Sequence, residues 1–342
     1  MTSRLPATGG AQPRRALPKW LRIVLVAAVI ALLALFARKI DWHHAWTSIR
    51  GADPRWIAAA LVANILSIVL KGIRWWVFLR AIGVDRPLLS QRATLAGAGL
   101  NNILVANGGE AARVVFVARA ANAPSSAVLA TLAIERLFDL VGYAILLAAG
   151  TLLLPLPPAL ARWRWPAVAT VVVAFAALAW FARRARGRTD AGAASLASDD
   201  AAPPAGGFRA RARRATAHFG EAFAASASLG RFAAAVLLSL GAWMLQLATF
   251  AWTAHSAGLD LPVAGHLATL LTVNLGFLVR VTPGNVGFFQ LAYAVAAVPF
   301  GADRDQAIAV SLLIQTLQVI PVTLLGVALA PEFIFRRRQR GH

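Results

Sequence analysis

Three charged residues in one apolar segment are the first feature with the potential for chemistry. Glu135, Arg136 and Asp139 interrupt an otherwise apolar run over residues 126–154. On a helix, Glu135 and Asp139 share a face because they are four residues apart, and Arg136 can pair with Asp139 three residues on. Charges inside a membrane-spanning helix are costly and typically face an interior cavity. The clustering favours a buried polar site, and snorkelling of the side chains to the nearby helix end is the alternative.

A second group of candidate residues surrounds a pair of glycines. The group consists of Asn101, Asn107, Gly108, Gly109, Glu110 and Arg113. Adjacent glycines permit a tight turn and a close approach of two backbones. Glu110 and Arg113 are three residues apart, so a helix would place them on one face as a pair. The pattern predicts a turn that presents amides and a charge pair to a lipid headgroup, and an ordinary turn with a solvated ion pair is the alternative.

A third group of candidate residues follows a solitary arginine. The group consists of Arg280, Pro283, Gly284, Gly287 and Gln290. The Pro-Gly pair signals a break, and a helix that restarts after it exposes amides that bind an anion. Arg280 is the only Asp, Glu, Lys or Arg between Asp260 and Asp303, so a phosphate would supply its missing partner. The alternative is a kinked helix with Arg280 near the membrane interface.

The composition places these residues in a membrane protein. Of 342 residues, 59% are hydrophobic and 14% are charged, whereas soluble domains have about 45–50% and 25%. The 34 Lys and Arg outnumber the 14 Asp and Glu, for a net charge of +20. In so apolar a chain this excess indicates anionic lipid headgroups and not nucleic acid as the partner. Without cysteine, HExxH spacing or a P-loop, we expect no metal, no cofactor and no enzymatic activity.

Apolar segments predict an all-α integral protein of the inner membrane. Six segments have the length of a membrane-spanning helix, near residues 21–37, 56–79, 126–154, 166–182, 232–255 and 306–335. Two more apolar regions, near 93–119 and 263–300, are broken by glycine or proline. Basic residues concentrate in three stretches outside the spans, which we therefore place in the cytoplasm. The chain is then expected to have six full crossings with both termini inside.

The basic stretches also divide the chain. We assign residues 1–20 to a basic N-terminus, 21–182 to a first membrane half, 183–231 to a basic cytoplasmic linker, 232–335 to a second membrane half and 336–342 to a basic tail. Each half has a broken segment between two spans, and the direction of crossing is reversed between halves. The sequence therefore predicts an inverted repeat with two re-entrant segments, an arrangement typical of transporters with a binding site near the midplane.

These motifs resemble the flippase-like family built on the transmembrane domain of lysylphosphatidylglycerol synthase. The matching stretches are Arg74-Trp75-Trp76, Asn101–Arg113, Glu135-Arg136-x-x-Asp139 and Pro283-Gly284-x-x-Gly287, and the resemblance extends from about Arg22 to Arg336. The family usually has proline shortly before the Gly-Gly pair, where this chain has Ala106-Asn107, and often has an acidic residue where this chain has Gln290. A short basic tail stands where the full synthase carries its soluble domain, so the resemblance implies lipid translocation or handling and not synthesis.

The residues and the resemblance together predict a protein that moves a phospholipid or another amphipathic lipid between leaflets. Its expected ligand is a membrane lipid bound through the headgroup phosphate, and a homo-oligomer or a lipid-modifying partner enzyme stays open. The alternatives are an accessory protein that binds a polyprenyl-linked sugar or a hopanoid for a partner enzyme, a membrane-embedded transferase, and an assembly protein without a ligand. We expect Lys71 and Arg74, with Trp75 and Trp76 at the end of a predicted span, to anchor that helix at the membrane interface. Polar residues within other spans are expected to form hydrogen bonds between helices, with the lining of a cavity as the alternative; they are Gln246, Gln315 and Gln318.

Overall fold

The computed structural model describes residues 42–103, 108–162, 164–173, 176, 229–276 and 285–335, and the elements in these ranges are helical. In chain order they are α1 (Trp42–Arg50), α2 (Pro54–Arg80), α3 (Pro87–Ile103), α4 (Gly108–Ala121), α5 (Ser125–Leu153), α6 (Pro158–Ala161), α7 (Arg164–Val173), α8 (Leu229–Ser256), α9 (Val263–Gly276), α10 (Phe288–Ala297), a 3-10 turn (Val298–Phe300) and α11 (Arg304–Phe335). The all-helical class is confirmed for these ranges. The expected span near 21–37, the tail at 336–342 and almost all of the linker lie outside them.

Three of the described helices are long and apolar enough to cross a membrane. They correspond to α2, α8 and α11 and agree with the predicted spans at 56–79, 232–255 and 306–335. Helix α5 has 29 residues and therefore also has the length to cross, but it carries the three charges noted above. Of the segment predicted at 166–182, residues 166–173 and 176 are described.

The two broken segments are pairs of shorter helices. Helices α3 and α4 have 17 and 14 residues, about 25 and 21 Å of helix, so each falls short of the roughly 30 Å hydrocarbon core. They run antiparallel, since the Arg86 guanidinium donates to the Ala120 carbonyl oxygen at 3.0 Å near one end and Asn101 contacts Gly109 near the other. Helices α9 and α10 form the corresponding packed pair in the second half.

Local sequence sets the start of the long helices. The Asp53 carboxylate accepts the Arg55 N–H at 2.8 Å, and Pro54 occupies the first helical position, where its missing N–H costs nothing. The Asp303 carboxylate likewise accepts the N–H groups of Asp305 and Gln306, each at 3.0 Å. Helices α2 and α11 therefore begin at polar caps that suit a membrane surface.

Helices α2 and α8 pack along each other in opposite directions. The Asp53 N–H donates to the Ser256 carbonyl at 2.9 Å, and farther along α2 the Arg74 guanidinium donates to the Ser239 hydroxyl at 2.6 Å. Position 53 thus faces position 256 while position 74 faces position 239. The first long helices of the two halves are therefore antiparallel neighbours.

Several contacts between helices have a counterpart in the other half of the chain, although the contact of α1 with α11 has none. Helix α3 packs on α11 as α9 packs on α5, and α4 packs on α5 as α10 packs on α11. The contacts of α2 with α3, α5 and α11 likewise match those of α8 with α9, α11 and α5. At the α3–α11 crossing a Cβ on Gly99 would lie 2.8 Å from the Gly326 Cα, so two glycines permit close packing of the kind that membrane helices use.

Candidate functional site

Seven ionisable side chains lie together where α2, α4 and α5 meet. This charge cluster consists of Lys71, Arg74, Glu110, Arg113, Glu135, Arg136 and Asp139. Glu135 lies ten residues after the start of α5, about 15 Å along the helix. Arg113 lies eight residues before the end of α4, or about 12 Å. Glu135 and Arg113 therefore lie in the interior of their helices, whereas Glu110 lies in the first turn of α4.

Arg74 is at the centre of the charge cluster. It is 1% exposed, and its Nη2 lies 2.6 Å from Asp139 Oδ1 and 3.5 Å from Glu135 Oε1. Its Nη1 donates to the Ser239 hydroxyl on α8, so this one side chain joins α2, α5 and α8. Our expectation that Arg74 anchors α2 at the membrane interface is wrong, because its guanidinium is buried and paired with groups on α5 and α8.

Arg113 occupies the neighbouring part of the cluster. Its Nη2 lies 2.9 Å from Glu135 Oε2 and donates to the Thr94 hydroxyl at 3.3 Å. The guanidinium carbon lies 4.0 Å from the centre of the Trp75 ring, within the range of a cation–π contact. Since Glu135 is 3% exposed and meets both Arg74 and Arg113, it does not snorkel to the helix end.

Arg136 lies on the exposed side of the cluster. It contacts Glu110 on α4 and lies 3.4 Å from Asp139 on its own helix, as the spacing along the helix predicts. The expected pair between Glu110 and Arg113 is not among the ion pairs of the described residues. Instead each pairs with a residue of α5, because α4 and α5 cross at this point and an oppositely charged group is closer there.

The charge cluster carries one more positive than negative group. Lys71 is the remaining cation and lies within electrostatic range of Asp139, Arg74 and Arg136. Exposure rises across the cluster, from 1% for the Arg74 side chain through 24% for Asp139 to 52% for Arg136. The cluster is therefore sealed towards α8 and open beside Arg136.

The glycines of the first helix pair make room for these side chains. A Cβ on Gly97 would lie 2.2 Å from the Arg113 Cγ, and a Cβ on Gly109 would lie 2.0 Å from the Gly97 carbonyl oxygen. The Gly109 N–H donates to the Asn101 side chain at 2.9 Å. Gly108 is the first residue of α4. The close backbone approach predicted for the Gly-Gly pair is thus confirmed, and it sets the separation of α3 from α4.

Replacing Gly109 with alanine is expected to lower the free energy of unfolding by about 1–3 kcal/mol. The added methyl group would meet backbone atoms of α3, which cannot move away as a flexible side chain would. Thermal unfolding of the detergent-solubilised protein measures the change. Gly230→Ala is the matched control, since its Cβ would have no atom within 4 Å and alanine favours the helix. Equal unfolding temperatures of the two variants would contradict the expectation.

In the second half, a pair of buried amides joins α10 to α11. Gln290 on α10 donates from Nε2 to Gln315 Oε1 on α11 at 2.6 Å. Its own Oε1 accepts the Gly287 N–H at 2.6 Å, which folds the side chain back to the start of α10. Gln290 and Gln315 are 3% and 7% exposed. Both halves thus join the second helix of the short pair to the following long helix through buried polar side chains.

The structure brings together most of the residues predicted from the sequence. Asn101, Gly109, Glu110, Arg113, Glu135, Arg136 and Asp139 are neighbours in the first half, and Gly287 and Gln290 are neighbours in the second. Asn107, Arg280, Pro283 and Gly284 lie outside the described residues. In the ranges that are described, no three His, Cys, Asp or Glu residues are placed to hold a metal ion.

Sequence reasoning missed three polar residues in these sites. They are Arg74, Thr94 and Ser239. Ser239 stands alone in an apolar stretch, and Thr94 comes shortly after the polar run Ser90-Gln91-Arg92, so neither position carries a specific signal. Arg74 lies three residues after Lys71. This pair of cations within an apolar span was the one feature of the sequence that indicated a buried position for Arg74.

Comparisons with known proteins give one family and one partial relative. The chain matches the family described as "Lysylphosphatidylglycerol synthase TM region" over residues 19–326. It is 33% identical over 124 residues to the glycosyltransferase AglD of Haloferax volcanii, a stretch that covers 35% of this chain and 20% of that protein. The match thus spans about a fifth of the relative's length. No solved structure matches the chain.

Proposed function

Since the chain belongs to the family of lysylphosphatidylglycerol synthase transmembrane regions, we propose that it moves an amphipathic lipid between leaflets of the inner membrane and binds the headgroup at the charge cluster. The observation that carries the proposal is a charged site deep in the helices that is sealed at Arg74 and open at Arg136. A half-exposed arginine at this depth is costly against hydrocarbon. A wet groove that admits a lipid headgroup removes this cost.

The charge balance favours a phosphate as the bound group. A phosphodiester carries one negative charge, which would neutralise the single excess cation of the cluster. Arg136 is the cation at its open side, and guanidinium groups bind phosphate oxygens in pairs. Glu110 and Asp139 would hold Arg136 in position while the site is empty.

The arrangement of the helices favours alternating access to this site. The antiparallel contact of α2 with α8 and the matching contacts in the two halves support an inverted repeat with its axis in the membrane plane. The two short helix pairs would then enter from opposite sides and meet near the midplane, as in transporters built on such repeats. Because the sequence contains no P-loop, movement would be downhill, coupled to an ion or driven by a partner.

Replacing Arg136 with glutamine is expected to slow leaflet exchange of an anionic phospholipid by about tenfold, because one charged hydrogen bond to the phosphate is lost. The measurement is exchange of fluorescent phosphatidylglycerol in proteoliposomes that contain the purified protein. Arg80→Gln is the matched control: its side chain is also 52% exposed and pairs with an aspartate, Asp85, but it lies outside the cluster. We expect this control to exchange lipid at the unaltered rate.

Two outcomes would overturn the proposal. One is an absence of exchange of any phospholipid by the purified unaltered protein. The other is an equal rate for Arg136→Gln and Arg80→Gln with every lipid tested. Either result would mean that the charge cluster takes no part in lipid transport.

The second candidate function is that of an accessory protein that binds a lipid-linked sugar for a partner enzyme. The similarity to part of a protein named as a glycosyltransferase favours it. This function requires lipid binding but no movement between leaflets by the purified protein. The exchange assay therefore also separates the two functions.

A further inference from the structure

The second half contains buried amides that the phosphate site does not use. Asn285, Gln290 and Gln315 lie at and beside the start of α10 and are 1%, 3% and 7% exposed. We name these three residues the amide cluster. The Gln290 side chain is held at the start of the helix by the Gly287 N–H, and Asn285 lies two residues before that glycine.

Asn285 is the residue whose unpaired side chain indicates a ligand. Neither its amide nitrogen nor its amide oxygen has a hydrogen-bond partner within the described part of the chain. Its φ of 59° explains why asparagine is tolerated there, since asparagine adopts the left-handed conformation more readily than most residues. The backbone conformation does not explain the unpaired amide, because glycine would adopt the same conformation without burying a polar side chain. Leaving such a group unsatisfied is costly.

The chemistry of the amide cluster differs from that of the charge cluster. Helices α9 and α10 contain no Asp, Glu, Lys or Arg, and α11 has none between Asp305 and Glu332. A charged group bound there would lack a countercharge among the described residues and would be costly to bury. An amide both donates and accepts hydrogen bonds, as a hydroxyl does. The cluster therefore matches an uncharged ligand that carries hydroxyl groups.

The depth of the amide cluster places it near the proposed lipid path. Gln315 lies eleven residues after the start of α11, about 17 Å along the helix, and Glu135 lies about 15 Å from the start of α5. Because α2 and α8 are antiparallel, the two clusters approach the middle of the bundle from opposite ends. One headgroup could therefore meet both clusters on its way across.

We infer that the amide cluster binds the uncharged, hydroxyl-bearing part of a lipid headgroup, of the glycerol or hexose type, while the charge cluster binds its phosphate. The inference rests on the proposed function, because it assigns a ligand to the part of the headgroup path that lies in the second half of the chain. It predicts selectivity between lipids of equal charge, which a phosphate site alone would not produce.

The test is competition between matched lipids for the full chain in detergent, measured by native mass spectrometry. One arm compares phosphatidylglycerol with phosphatidylmethanol, which have equal charge and differ in their hydroxyls. The other compares hexosyl-diacylglycerol with diacylglycerol. We expect the unaltered protein to prefer the hydroxylated lipid by about five- to tenfold, the value of one good hydrogen bond. The arm with the larger preference identifies glycerol or hexose as the source of the hydroxyls.

Asn285→Gly and Gln290→Met are expected to reduce this preference below about twofold without weakening the binding of phosphatidylmethanol. Asn285→Gly keeps the left-handed backbone and removes only the amide, so a folding defect is not expected. Gln318→Met is the matched control on α11 and should retain the preference. A preference that persists in both variants, or an unaltered protein without preference in either arm, would overturn the inference and would mean that bound water satisfies Asn285.

If the proposed function were wrong, the binding measurements would give a different result. Phosphatidylmethanol would then bind no better than diacylglycerol, and Arg136→Gln would leave its binding unchanged. Loss of hydroxyl selectivity with phosphate binding intact overturns only the inference.

Discussion

Replacing Glu135 with glutamine is expected to lower the free energy of unfolding by about 3–5 kcal/mol, the usual cost of breaking a buried ion pair. Glu135 is 3% exposed and meets Arg74 at 3.5 Å and Arg113 at 2.9 Å. Its neutralisation would leave four cations with two carboxylates in the cluster. Glutamine preserves the shape of the side chain, so the change isolates the charge. Unfolding in mixed micelles followed by circular dichroism measures the difference.

Glu110→Gln provides the matched control for this variant. The same chemical change is made in a carboxylate of the same cluster, but its partner Arg136 is 52% exposed. Ion pairs with an exposed member contribute about 0–1 kcal/mol, so this variant should remain close to the unaltered protein. If the two glutamine variants were equally stable, the sealed end of the cluster would not hold the helices together.

Replacing Arg74 with methionine is expected to cost a similar amount, about 3–5 kcal/mol, for a different reason. Methionine fills much of the same volume but removes the hydrogen bonds to Asp139 and to Ser239. The bond to Ser239 joins α2 of the first half to α8 of the second. Its loss should therefore loosen the contact between the halves, which amide hydrogen exchange along α2 and α8 would report as faster exchange.

Arg74→Lys separates the charge of this residue from its geometry. Lysine retains the positive charge but has a single ammonium group in place of the planar guanidinium, so it cannot engage acceptors on two helices in the same way. We expect stability between that of the unaltered protein and that of Arg74→Met. Arg80→Met, in an exposed pair with Asp85, should change stability by less than about 1 kcal/mol. A fully stable Arg74→Lys would mean that charge alone matters at this position.

Several features of the fold followed from short-range sequence patterns. Hydropathy predicted α2, α8 and α11, because the length of an apolar run is what a membrane crossing requires. The glycine breaks predicted two interrupted segments, which are the pairs α3–α4 and α9–α10. The spacing along one helix predicted the pair of Arg136 with Asp139. Each of these depends on residues that are neighbours in the chain.

The partners of individual side chains were harder to predict. The sequence suggested a pair between Glu110 and Arg113, but each residue has its partner on α5. Arg74 resembled an interface anchor, because a cation near the end of an apolar helix has the same local sequence whether it faces headgroups or a buried carboxylate. Gln315 was expected to form a hydrogen bond between helices, but its partner Gln290, 25 positions away in the sequence, was not predicted.

The sequence by itself therefore determined that the chain is helical, that it belongs in a membrane, and which segments carry charges at depth. Only the tertiary structure decided that Arg74, Arg113 and Glu135 form one sealed network while Arg136 stays exposed, and that the buried amides of Gln290 and Gln315 join α10 to α11. The physical reason is that these contacts depend on which helix faces meet. Close backbone approaches, such as that of Gly97 with Gly109, set those faces, and they join residues that no local pattern relates.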